Sequence, residues 1–327
     1  MGPYIVRRAM LLVPFLFLIS LISFIVIQLP PGSFVDTYRQ NLESQGGSLN
    51  EGQLAALEER YGLDQPLPVQ YVRWITNIVF EGDFGNSFRY QRPVADILVE
   101  RVPRTVAISL VAILLTWLIA IPLGIFSALR QYSVWDYLLT LISFVGLSIP
   151  AFLLALVLMY VVFTNTGWLV TGLYSPEFRD APWSLAKFGD LVKNLWLPLI
   201  VLAVTGAAGT IRILRATLLD ELQKPYVTTA RAKGLPNWKV ILKYPVRLAI
   251  NPLISTIGWL LPAVVGGELV VSKVLNLPTV GPVILEAALA EDMYLAGGFV
   301  LILSTLTVIG TLLSDILLTW LDPRIRY

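Results

Sequence analysis

The stretch TVAISLVAILLTWLIAIPLGIFSAL, from Thr105 to Leu129, runs 25 residues without one ionisable side chain. A helix rises about 1.5 Å per residue and the hydrocarbon core of a bilayer is about 30 Å thick, so ~20 such residues cross it. A single Asp, Lys or Arg at the centre would cost about 2.5–3.5 kcal/mol, and this stretch carries none. It reads as a transmembrane helix. Ala9–Leu29, Tyr137–Thr164 and Asn194–Ile211 are likewise free of Asp, Glu, Lys and Arg. Leu248–Gly267 (continuing to Val271, past Glu268) and Met293–Leu321, with Asp315 near its inner end, are also long and apolar enough. The expected fold is an all-α polytopic membrane protein of about six transmembrane helices.

Composition agrees. Of 327 residues, 56% are hydrophobic and 14% charged, against roughly 45–50% and about 25% in soluble domains. There is no cysteine and no histidine. That removes disulfides, thiolate chemistry, the commonest general base and the commonest metal ligand together. No G-x-x-x-x-G-K-[ST] motif occurs, so the chain has no P-loop to cradle ATP phosphates. Neither a metal site nor an enzyme active centre is expected. Nothing points to nucleic acid; the lipid bilayer is the surrounding medium.

Arg7 and Arg8 precede the first span, as they would in a signal peptide. A signal peptide has an apolar region of about 7–15 residues and a small-residue cleavage site. This run is longer and ends in Gln28-Leu29-Pro30-Pro31, so a retained helix is expected.

The cationic residues orient the bundle. With the N-terminus inside, the cytoplasmic segments hold thirteen: Arg7, Arg8, Arg130, Arg212, Arg215, Lys224, Arg231, Lys233, Lys239, Lys243, Arg247, Arg324 and Arg326. The short outer loops hold four, Arg179, Lys187, Lys193 and Lys273. The long outer segment is not counted by the positive-inside rule. Both termini are therefore expected in the cytoplasm.

Five regions follow: 1–29, the cytoplasmic N-terminus and first span; 30–104, an extracytoplasmic helical region; 105–321, a five-helix core; 212–247, a cytoplasmic loop within that core; and 322–327, a cytoplasmic tail. In the second region Asn50 with Gln53 resembles a helix cap, with Gly62 placed to end that helix. Leu67, Tyr71, Trp74, Ile75, Ile78 and Val79 then share one helical face. That face packs on the bundle or docks an external partner; packing is the commoner use of such a stripe. Gly82-Asp83-Phe84-Gly85 reads as a turn. Trp168, Trp183 and Trp196 suit interfacial anchoring. Within the membrane, Glu268 and Trp259 are the candidate residues of a substrate pathway, beside the plainer reading of interhelical packing. Asp315 lies near the inner end of the last span.

Arg212–Arg247 is the longest cytoplasmic stretch, with eight basic residues against Asp220 and Glu221. Within it, Pro225 suits the first turn of a helix, and Gly234 with Pro236 suits its end. A second helical stretch is expected over Asn237–Arg247. Thr229, Ala230 and Ala232 are small enough for a partner surface to approach closely, with Arg231 and Lys233 offering salt bridges at the rim. Cytoplasmic loops are basic in any case, but a generic one has no need of a capped helix with a small-residue face.

The run Tyr226-Val227-x-Thr229-Ala230-Arg231-Ala232-Lys233-Gly234-Leu235, with Pro252 beyond it, resembles the coupling-loop motif of ABC importer inner-membrane permeases, in the dipeptide, oligopeptide and nickel branch. Further matches are Tyr61-Gly62-Leu63-Asp64-Gln65-Pro66 with Gln70-Tyr71, Gly82-Asp83-Phe84-Gly85-x-Ser87, Pro103-x-Thr105, Asn276-Leu277-Pro278 with Gly281, and Asp322-Pro323-Arg324-Ile325-Arg326-Tyr327. The resemblance covers essentially the whole chain and implies a type I importer permease in a bacterial or archaeal plasma membrane. It implies a second homologous permease, two ATP-binding subunits and an extracytoplasmic solute-binding protein as partners. ATP and magnesium would sit on the ATPases, and Tyr226, Thr229–Leu235 would couple to them. The solute implied is a peptide; oligosaccharides are the alternative, and a stand-alone secondary carrier a more distant one. The chain departs from the family pattern at Thr228-Thr229-Ala230, Tyr244, Ser272 and Pro278-Thr279, where the family often has Glu-Ala-Ala, His, Glu and Pro-Gly.

Overall fold

Residues 2–28, 64–255, 257 and 269–321 are described by the computed structural model. The Asn50 cap, most of the Leu248–Gly267 span, Trp259, Glu268 and the 322–327 tail lie outside them.

In chain order the helices are α1 (Gly2–Gln28), α2 (Leu67–Thr76), α3 (Val94–Leu129), α4 (Val134–Ser148), α5 (Ala151–Thr166), α6 (Leu185–Leu222), α7 (Pro225–Ala232), α8 (Asn237–Lys243), α9 (Pro245–Ala249), α10 (Asn251–Ser255), α11 (Val280–Leu289) and α12 (Met293–Leu321). Among the described residues α1, α3, α6 and α12 are each long and apolar enough to cross a membrane. The helices outlast the apolar stretches. At 36 and 38 residues, α3 and α6 reach well beyond the hydrocarbon thickness at one end or both.

The expected single span Tyr137–Thr164 is instead two helices, α4 and α5, bent by 98°. Pro150 accounts for the break. It lacks an N–H and its ring excludes the preceding residue from helical geometry, and Ile149 accordingly sits at φ −86°, ψ 119°.

At the centre of the bundle α3 lies against α6. Buried Ile108, Ala112, Thr116, Ala120, Gly124 and Ala128 recur every four residues along α3, which puts small side chains on one stripe and lets backbones approach. A Cβ on Gly206 would come 3.0 Å from Thr116 Oγ1, and one on Gly124 would come 3.0 Å from Leu214. Thr116 Oγ1 donates to Ala112 O at 2.8 Å, keeping its hydroxyl satisfied inside the interface.

A second core joins α1, α2, the start of α3, α11 and α12 around Phe24, Trp74, Val94, Leu295 and Phe299. The Leu67–Val79 stripe is helical through Thr76 and continues as a π-helical turn over Asn77–Glu81. It lies on α1: Tyr71 shares a 2.7 Å hydrogen bond with Ser20 and meets the Phe24 ring edge-on at 5.5 Å. The Gly82–Gly85 turn has positive φ at both glycines and leads into a two-residue hairpin, β1 (Asn86–Ser87) with β2 (Arg92–Pro93). Asp292 fastens that hairpin to α12. Its fully buried carboxylate accepts from Ser87 Oγ at 2.5 Å and from the backbone N–H groups of Arg89 and Leu295.

Thr105 ties α3 to α11 by accepting from Val280 N at 2.9 Å. Gly281, next in α11, leaves room for the Leu269 backbone; an added Cβ would sit 2.8 Å from Leu269 Cα. Backbone cannot rotate away, so Gly281→Ala is expected to cost about 1–3 kcal/mol through overpacking. Gly209→Ala, whose Cβ would meet only Leu147 Cδ2 at 3.8 Å, should be neutral or slightly stabilising in its helix. Thermal unfolding of the two purified variants side by side checks both expectations.

Candidate functional site

The functional candidate is the segment after α6, at the end of the bundle where the basic residues of 212–247 cluster. Pro225 opens α7 because a first-turn residue has no intrahelical N–H bond to lose. The helix ends where Lys233 N bonds Thr229 O and Gly234 N bonds Arg231 O, with Gly234 at φ +76°. That left-handed conformation is costly for a residue with a Cβ. Pro236 then starts α8. The expected second helix, Asn237–Arg247, is broken in two. Pro245 cannot continue the ladder, Tyr244 turns to φ −114°, ψ −76°, and α9 begins afresh.

Each face of α7 has its own environment. Val227 and Ala230 are buried with Val240 of α8, flanked by Tyr226 and Tyr244. Ala230, expected among the small outward residues, is thus turned inward at 8% exposure. Tyr226 is half-buried and its hydroxyl donates to the Glu221 carboxylate at the end of α6. Thr228, Thr229, Arg231, Ala232, Lys233, Gly234 and Leu235 are exposed. Two apolar residues that the sequence pattern does not single out join them: Trp238 is 62% exposed and Leu242 52%. A Trp and a Leu set singly among the cations of a loop are the signal that could have found them. Thr228, Thr229, Leu235, Trp238 and Leu242 among cations form a mixed apolar and basic surface suited to a protein partner.

This segment is joined firmly to the bundle. Thr217 Oγ1 of α6 is 3.1 Å from Ala249 O of α9. Nearby on α6, Arg215 grips Asp136, the first-turn acid of α4, through Nε and Nη2, both at 2.7 Å. The Asp136 carboxylate also accepts from Ser127 Oγ of α3 at 2.5 Å and from Tyr132 N at 3.0 Å. Three helices therefore meet at one buried carboxylate. In the sequence Arg215 is only one of thirteen cations expected on the cytoplasmic side, and nothing there draws attention to Asp136.

At the opposite end a cavity of about 620 Å³ lies between the start of α3, the 171–180 loop and residues 272–286. Glu286 on its wall accepts from Lys273 Nζ at 2.6 Å and from the Tyr90 hydroxyl at 3.0 Å. Lys273 holds Glu286 below the usual carboxylate range. Burial and then the hydrogen bond to Glu286 push the Tyr90 phenol up to about 12. A raised phenol stabilises the fold fully below its unfolded value near 10 and loses that contribution as pH climbs through 12. Wild-type protein is expected to lose thermal stability between pH 10 and 12 faster than Tyr90→Phe does. Parallel curves in that window would contradict the assignment. Among the described residues no three carboxylates gather to hold a metal ion.

Residues 120–327 match the family described as binding-protein-dependent transport system inner membrane component, and residues 1–109 match the N-terminal membrane component of the same systems. The chain is 36% identical to the oligopeptide transport system permease protein AppB of Bacillus subtilis over 328 residues, covering all of both chains. It is 30% identical to the oligopeptide transport system permease protein OppB of Haemophilus influenzae, over 99% of each chain. It is also 30% identical to a putative peptide permease protein of Brucella suis, over 99% of this chain and 98% of that one. Such a system supplies ATPase and solute-binding partners from other chains. The chain belongs to the inner membrane component family of binding-protein-dependent transport systems, as a multi-pass permease subunit and not itself an ATPase.

Proposed function

We propose that this chain forms one half of the pathway of an ATP-driven peptide importer, paired with a second homologous permease and served by two ATPase subunits. Both termini lie on the cytoplasmic side, and α7 with the start of α8 rests in a groove of one ATPase. The observation that carries this reading is the division of α7. Val227 and Ala230 hold the helix to the protein, while Thr229, Arg231, Ala232, Lys233, Gly234, Leu235 and Trp238 are left for a partner. A helix anchored on one face transmits displacement, whereas a loose one would absorb it. The names of the relatives, oligopeptide and peptide permeases, support peptides as the solute.

The test is the complete complex in proteoliposomes with its binding protein outside. Peptide-loaded binding protein is expected to raise ATP hydrolysis several-fold over the empty protein and to drive peptide inward. Hydrolysis that responds to no loaded binding protein would overturn the reading.

A further inference from the structure

The cavity opposite the coupling segment has a charge imbalance on one wall. Glu100 is the shared partner of three guanidiniums: Arg92 Nη2 at 2.8 Å, Arg104 Nη1 at 2.9 Å and Arg101 Nε at 3.3 Å. Of these, Glu100, Arg101 and Arg104 line the cavity, so its wall carries one positive charge in surplus, and Arg92 adds a second just outside it. Arg101 Nε is buried and makes no hydrogen bond. The other charges of the lining balance: Lys273 with Glu286, and Arg179 with its neighbour Asp180. Arg101 and Arg104, three residues apart on α3, both line the cavity.

Guanidiniums crowded around one acid repel one another, and an incoming anion relieves that repulsion. Their planar forks match a carboxylate, which can accept two parallel N–H bonds from one of them. A volume of about 620 Å³ falls in the range of small-molecule sites, roughly 300–1,000 Å³. A neutral sugar has no group that answers this wall, whereas a peptide carries a terminal carboxylate.

We propose that Arg101 and Arg104 form a carboxylate subsite in the outer cavity, which takes the C-terminal carboxylate of the peptide as the binding protein releases it. The proposal rests on the importer reading and adds to it a specificity element in the permease itself. Glu100 positions the two arginines, and Arg92 shares its charge from outside the cavity.

The experiment compares tetra-alanine with its C-terminal amide in the reconstituted complex, each supplied at saturating binding protein with the bound peptide quantified to equal loading. Wild type is expected to transport the carboxylate about tenfold faster than the amide, the worth of one charge-assisted hydrogen bond. In Arg104→Gln that preference is expected to collapse toward unity, through a slower carboxylate rate and an unchanged amide rate. Arg104→Lys, which keeps the charge but loses the fork, should fall between. The concentration of binding protein giving half-maximal rate should not move.

Equal slowing of both peptides in Arg104→Gln would assign the arginine a structural role and overturn the proposal. So would a raised half-maximal concentration, which would make the cluster a docking contact for the binding protein. A wild type without preference would overturn it directly. A wild type that moves neither peptide, with no stimulation of ATP hydrolysis, would overturn the importer reading and this site with it.

Discussion

Gly234→Asp is expected to separate ATP hydrolysis from transport, lowering peptide uptake at least about tenfold while the complex still assembles and hydrolyses ATP. The local geometry makes this substitution informative. Gly234 has φ +76°, so a side chain there costs the fold about 1–2 kcal/mol of backbone strain. Yet an added Cβ would meet no atom within 4 Å. The carboxylate would therefore project from the exposed turn between α7 and α8, and the Val227, Ala230 and Val240 packing behind it would stay intact. The injury falls on docking, where a buried unpaired charge is costly. Gly234→Asn tolerates the same left-handed backbone without the charge, and should keep much of the uptake. The ratio of peptide moved to ATP hydrolysed, measured in proteoliposomes, is the quantity to compare. Normal uptake by Gly234→Asp would remove this turn from the coupling surface.

Asp136→Ala is expected to produce the largest loss of stability. Asp136 is 2% exposed and its carboxylate accepts four hydrogen bonds, two of them from Arg215. Breaking one side of a buried ion pair costs about 3–5 kcal/mol. Arg215 keeps 27% of its side-chain surface in contact with solvent, so about 2–3 kcal/mol is the appropriate expectation. Arg215→Met should cost a similar amount. The double variant should be less destabilised than the sum of the two, because neither partner is then left buried and unpaired. Thermal unfolding of the four purified complexes measures this cycle; strict additivity would mean that the pair is not coupled. If the clamp also carries motion from α6 to α3 and α4, transport per ATP falls in both single variants at temperatures where each remains folded.

The membrane helices are legible in the sequence because ~20 consecutive positions without an ionisable residue match the thickness of a bilayer and far exceed what a soluble core helix needs. Their true lengths are not. Hydropathy stops at the water interface, while backbone hydrogen bonding carries α3 back to Val94 and α6 on to Leu222. Pro150 and Pro245 each end a helix that an apolar or basic pattern suggests is continuous. A proline in a transmembrane pattern breaks the chain only where no neighbour restores the lost bond, and Pro103 and Pro122 lie within an unbroken α3. The ends of α7 are readable from Pro225 and Gly234, since cap chemistry is local. Which way Ala230 faces is not, because Val240 on the next helix decides it. The Asp136–Arg215 pair joins residues 79 positions apart, and the outer cavity draws its walls from three segments. No local pattern announces either.

Residues Glu268 and Trp259, the candidate pathway positions, lie outside the described residues. The candidate surfaces that can be placed are at the two ends of the bundle: the exposed face of α7 and α8 on one side, and the arginine-walled cavity on the other.

The central claim, that α7 seats this chain on an ATPase, has a direct measurement because the chain contains no cysteine. Single cysteines introduced at Thr229, Lys233, Leu235 and Trp238, and at buried Val227 and Val240 as controls, can each be probed with a short thiol-to-amine crosslinker in the assembled complex. The expected result is crosslinks to the ATPase subunit from the four exposed positions and none from the two buried ones. Crosslinks that spare the ATPase, or that capture the binding protein from this face, would contradict it.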